Sequence, residues 1–131
     1  MSYQIETIRP FDKAVKRLAK KYRRIKKDLL VLVKSLSKNP FIGVPITGFA
    51  DQVWKVRMAS RDIQAGKRGG YRVIYAINRD TEKCYLMYIY AKSKKADVSA
   101  QEIEGLLAEL EEYLAHQEES EEVDDEKQAE Q

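Results

Sequence analysis

The chain has 131 residues, 44% of them hydrophobic, which fits one domain with one modest core. No apolar run approaches the ~20 residues that span a bilayer, and the opening MSYQIETIRPF lacks the apolar stretch of a signal peptide, so a soluble cytoplasmic protein without a membrane partner is expected. The net charge of +3 hides a division, because residues 1 to 95 hold 23 Lys/Arg against 7 Asp/Glu and residues 96 to 131 hold 1 against 14; so basic a body attracts polyanions, phosphate backbones above all.

Tyr3, Ile5, Thr7 and Ile8 suggest a short first strand closed by Pro10. From Phe11 to Tyr22 the apolar Phe11, Val15, Leu18 and Tyr22 fall at helical spacing, with lysines and arginines on the other face. A second helix, from about Arg24 to Ser37, repeats the pattern with Ile25, Leu29, Leu32 and Leu36 and is stopped by Asn39-Pro40. The two helices read as a hairpin.

Gly43, Pro45 and Gly48 imply a loop over 41 to 51, followed by strands at 52 to 59, 70 to 78 and 84 to 91. Their short connections predict an antiparallel meander. Cys84, the one cysteine, excludes an intrachain disulfide, and its apolar setting suggests a packed thiol. Ser99 and Glu102 form a capping box ahead of a third helix with Ile103, Leu106, Leu107 and Leu110 as its apolar stripe. After His116 the composition is almost all Glu, Asp, Gln and Ser, too polar to offset the entropy of ordering. The expected organisation is therefore an α+β domain over residues 1–115, a small antiparallel sheet of about four strands with the helical hairpin on one face and a C-terminal helix, followed by a disordered acidic tail over 116–131.

Side chains alternate along a strand, so Trp54, Val56 and Met58 share the core face of their strand while Lys55 and Arg57 share the other. With Tyr71, Val73, Tyr75 and Ile77 turned to the core, Arg72 joins Lys55 and Arg57, and the same parity in the last strand adds Tyr88, Tyr90 and Lys92, with Lys94 and Lys95 just beyond. Such a face suits RNA: cations neutralise phosphates and tyrosine rings stack on unpaired bases. The loop Gly66-Lys67-Arg68-Gly69-Gly70 adds Lys67 and Arg68. The plainer reading is that these groups solvate the outer face of a half-covered sheet. No metal site is expected, since His116 is the only histidine and no Asp/Glu/His grouping has ligand spacing; no cofactor is expected either, because the glycine-rich loop precedes a strand and lacks the full phosphate-loop signature.

In VWKVRMA, GKRGGYRVIYAI and YLMYIYAKSKKADVS the chain resembles the RelE toxins of the RelE/ParE superfamily, especially the HigB-like branch, from about Phe11 to Leu110. The resemblance implies a ribosome-dependent endoribonuclease acting on messenger RNA and restrained by a cognate antitoxin. By position it makes Lys55 and Arg57 the family's basic pair, Arg72 the arginine after the GY dipeptide, and Lys92 the lysine ending the last strand. Where the family carries an arginine directly after that lysine and a tyrosine a few residues on, this chain has Ser93 and Ser99, which leaves Lys94, Lys92 and Tyr90 as substitutes.

The implied chemistry is metal-independent attack by a 2′-hydroxyl on the adjacent phosphate. Lys55 is the candidate base, since neighbouring cations disfavour an ammonium. Arg72 with Arg57 or Arg68 suits the crowded phosphate, and Lys92 or Lys94 is the candidate proton donor. Alternatives are a ParE-like inhibitor of DNA gyrase and a noncatalytic module that blocks an RNA or ribosomal site by occupancy.

Overall fold

The computed structural model describes residues 2–63 and 69–129, with side chains in the last helix as far as Glu119. In chain order the elements are β1 (Gln4–Thr7), α1 (Arg9–Ala19), α2 (Ile25–Lys38), a single 3-10 turn (Pro40–Ile42), β2 (Val44–Pro45), β3 (Val53–Met58), β4 (Tyr71–Asn78), β5 (Lys83–Ala91) and α3 (Ala100–Ala129). The α+β class, the helical hairpin and the β3-β4-β5 meander are as expected.

The sheet has five strands in the order β1-β5-β4-β3-β2; one pairing departs from the expected antiparallel arrangement, and one strand lies where a loop was expected. β1 lies parallel to β5, Ile5 opposite Cys84, because the chain crosses the hairpin and all the other strands before returning beside it. Residues 44 and 45, expected as loop, pair with Lys55 and Trp54 as a two-residue edge strand, a position where Pro45 withholds no ladder hydrogen bond. Pro10 also plays a different part from the one expected: it sits in the first turn of α1, where a missing N–H costs nothing.

Both faces of the sheet are covered. On one, α1 and α2 bring Phe11, Ala14, Ile25, Leu32 and Leu36 against Trp54, Val56, Tyr71, Val73, Tyr75 and Leu86. On the other, Ile103, Leu106 and Leu110 of α3 close over Val53, Ile74, Ala76, Tyr85 and Met87. Cys84 is fully buried, and burial pushes its thiol up to about 12. The capping box is present: Ser99 N donates to Glu102 Oε1 and Glu102 N to Ser99 Oγ, each at 3.1 Å. Farther along, Tyr113 donates to Glu6 of β1 at 2.6 Å. Helical backbone continues across position 116 to Ala129, in keeping with the helix propensity of its Glu, Gln and Ala residues, while the buried side chains described on α3 end at Leu110. No helix among the described residues is long and apolar enough to cross a membrane.

Gly70 leads into β4 with φ +70, and a Cβ there would stand 2.5 Å from the Met58 carbonyl oxygen. Its own carbonyl accepts from Lys92 N at 3.0 Å. Gly70→Ala should therefore destabilise the fold by about 1–3 kcal/mol from the strained backbone alone, read as a lowered midpoint in thermal unfolding; an unchanged midpoint would contradict the close approach.

Candidate nucleic-acid interface

Strand pairing assembles the basic face row by row. Arg57 lies opposite Arg72 and Arg72 opposite Tyr90, while Lys55 lies opposite Ile74 and Ile74 opposite Tyr88. Paired residues present their side chains on the same face, so Lys55, Arg57, Arg72, Tyr88 and Tyr90 share the α3 side of the sheet. A register shift between Ile74 and Tyr75, facing residues 86 to 88 of β5, makes this possible. Before it the even residues Cys84 and Leu86 point to the hairpin core, and after it the odd residues Ile89 and Ala91 do. Strict alternation would have put Leu86 with the tyrosines.

The cations differ in setting. Arg57 is exposed and Lys55 half-buried, whereas Arg72 is only 5% exposed. The Arg72 guanidinium donates through NH1 to the carbonyls of Gly69 at 3.0 Å and Tyr71 at 3.2 Å. Burial first, and the Arg57 charge beside it second, hold its proton affinity below the ordinary arginine value, although a guanidinium stays charged at neutral pH. Two cations side by side, one of them desolvated, favour an incoming anion. The rings of Tyr88 and Tyr90 lie 6.3 Å apart at 29°. Tyr88 is half-buried and packs against both cores; Tyr90 is buried, with a hydroxyl that has no hydrogen-bond partner among the described residues.

A tight loop carries the lysines past β5. Lys94 N and Lys95 N both donate to the Ala91 carbonyl, and Lys92 Nζ donates to Ala96 O at 2.6 Å. Lys95 pairs with Glu102 at 2.7 Å, whereas Lys94 is exposed. The loop then meets β3 through Asp97, whose Oδ1 accepts from Lys55 Nζ at 3.2 Å and from Val98 N at 2.8 Å. Sequence reasoning passed over Asp97; its signal was an isolated carboxylate in a run of lysines.

A second missed feature is the clamp after β3. Asp62 takes Arg24 N and Nε at 2.9 Å each, and Asp28, buried on α2, takes Arg61 N at 3.2 Å. Ser60 Oγ donates to Tyr71 OH and accepts from Asp62 N and Ile63 N. The lead-in to the 64–68 segment is thus fixed to α2 and β4. Lys67 and Arg68 lie outside the described residues. Among those described, no group of three or more His, Cys, Asp or Glu could hold a metal ion.

The model of the family described as the RelE toxin of the RelE/RelB toxin-antitoxin system matches residues 10–128. The fold is similar to that of the Escherichia coli toxin RelE, solved in the free state as a double arginine-to-alanine mutant, with a TM-score of 0.51 at 14% identity over 83% of this chain and 94% of that one.

If the exposed guanidinium of Arg57 meets a phosphate, Arg57→Ala should weaken binding of single-stranded RNA and flatten the dependence of log affinity on log salt by about 0.7. Anisotropy titrations across a salt series measure this, with unfolding curves run alongside; an unaltered slope would remove Arg57 from the interface.

Proposed function

Because the chain belongs to the family of RelE toxins from toxin-antitoxin systems, we propose that it cleaves messenger RNA on the ribosome by 2′-hydroxyl attack and that a cognate antitoxin restrains it. The observation that carries the reading is the register that sets Arg57 opposite Arg72 and Arg72 opposite Tyr90, with Lys55 one pair further along the same face. That face has what phosphate transfer between RNA oxygens needs: fixed cations for the extra negative charge, rings for an unpaired base, and, in the loop just past β5, the Lys92 and Lys94 ammonium groups that can protonate a leaving oxygen.

Arg72 is positioned before substrate arrives, its NH1 held by two backbone carbonyls. A guanidinium can hold two phosphate oxygens at once, so Arg72 with Arg57 stabilises the five-coordinate phosphorus. Lys92 or Lys94 is the proton donor for the leaving oxygen, and Tyr88, Tyr90, Lys67, Arg68 and Lys95 hold the strand. In this reading the loss of a family arginine at Ser93 is offset by the neighbouring lysines.

Residues 1–115 act as the toxin domain and 116–131 as a separable acidic, solubilising tail. Deleting 117–131 should leave RNA affinity unchanged even at low salt, where screening is weak; a marked tightening there would instead make the tail a mask over the basic face.

The enzymatic reading is tested by inducing wild type, Arg57→Ala and Arg72→Ala in bacteria and mapping messenger RNA ends on translating ribosomes. Cleavage should fall about a hundredfold or more in Arg72→Ala, and Arg57→Ala, whose side chain is exposed, reports the same loss without a burial defect. Uncut messenger RNA with arrested translation would point to an occupancy blocker, and DNA damage signalling without RNA cleavage to gyrase as the target.

A further inference from the structure

Every residue assigned above to the chemistry is a cation or a phenol, and the reaction needs a group that takes a proton. Lys55, the candidate from sequence, is engaged as a cation with Asp97 at 3.2 Å, and an ammonium has no lone pair to offer. Two carboxylates touch the cluster among the described residues. Glu102 is occupied by the Ser99 amide and the Lys95 ammonium. Asp97 is different: its side chain is 63% exposed, Lys55 Nζ and Val98 N both donate to Oδ1, and the Tyr90 phenol lies on the same carboxylate, so an exposed carboxylate oxygen stands beside the cations and rings where it can accept from an incoming hydroxyl.

From this geometry we infer that Asp97 is the general base of the site, with Lys55 as the positioning residue that holds it. The inference rests on the endoribonuclease reading and assigns a step within it. Asp97 takes the proton of the 2′-hydroxyl, the 2′ oxygen bonds to phosphorus, the bond from phosphorus to the 5′ oxygen breaks, and that oxygen takes a proton from Lys92 or Lys94. The products are a 2′,3′-cyclic phosphate and a 5′-hydroxyl; no water or oxidant is consumed.

The surroundings agree. The Val98 amide first, with Lys55 and Lys92 after it, holds the Asp97 carboxyl below the usual carboxylate range, although burial, second in size to the amide, works the other way; the carboxylate is therefore ionised at neutral pH and has a lone pair to offer, as a weak base whose contribution is its position. Across from it, burial and then the Asp97 charge push the Tyr90 phenol up to about 12, so the phenol stays protonated at neutral pH and can donate to a phosphate. The buried Tyr90 hydroxyl also interacts with the Asp97 side chain, so the phenol and the carboxylate belong to one site.

A base already ionised gives a rate that is level with pH, whereas a base titrating above the range gains about tenfold per pH unit. The experiment is single-turnover cleavage of messenger RNA on programmed ribosomes between pH 6 and 8.5 for wild type, Asp97→Asn and Asp97→Glu, with ribosome affinity and unfolding measured in parallel. Expected are a level wild-type profile, a loss of about a hundredfold or more in Asp97→Asn with affinity equal or tighter, and partial recovery in Asp97→Glu. A wild-type rate climbing tenfold per unit, or Asp97→Asn cleaving within about threefold of wild type, overturns the assignment. Loss of affinity matching the loss of cleavage reduces Asp97 to a structural role and also overturns it. Absence of any cut by wild type sinks the endoribonuclease reading itself.

Discussion

Arg72 sits where neither burial nor its neighbour favours a positive charge, and much of the structure around it serves to keep it there. The backbone carbonyls of Gly69 and Tyr71 take its NH1, and between them Gly70, with its positive φ, lies close against the Met58 carbonyl. The clamp from α2 to the Ser60 turn fixes the other side of the same connection. A cation so placed carries little hydration that it must lose when it meets a phosphate, which is the electrostatic advantage of a preorganised site over a flexible surface arginine.

The broad plan was legible because two periodicities are written plainly: 3.6 in α1, α2 and α3, and 2 in β3 and β4. Alternating Trp54, Val56 and Met58 against Lys55 and Arg57 leaves one solution for the strand's faces. What periodicity cannot show is pairing between distant segments. The parallel partnership of β1 with β5 depends on an interaction across nearly the whole domain, and β2 is two residues long, too short to have a period at all.

The candidate site was legible to the same depth and no further. Parity placed Arg72 with Lys55 and Arg57, and it placed Tyr88 and Tyr90 there as well, although the alternation in β5 holds only because a bulge resets it before Tyr88. Had the reading been anchored on Cys84 and Leu86, it would have turned the two tyrosines to the wrong face. Asp97, Asp62 and Asp28 escaped because their partners lie 42, 38 and 33 positions away. A lone carboxylate in sequence looks like ordinary solvation until the fold supplies its cation.

One carboxylate belongs to two structures at once. Glu102 closes the first turn of α3 with Ser99 and holds Lys95 of the loop beside the basic face. The helix start and the loop therefore share a common anchor, and a force on one is felt by the other.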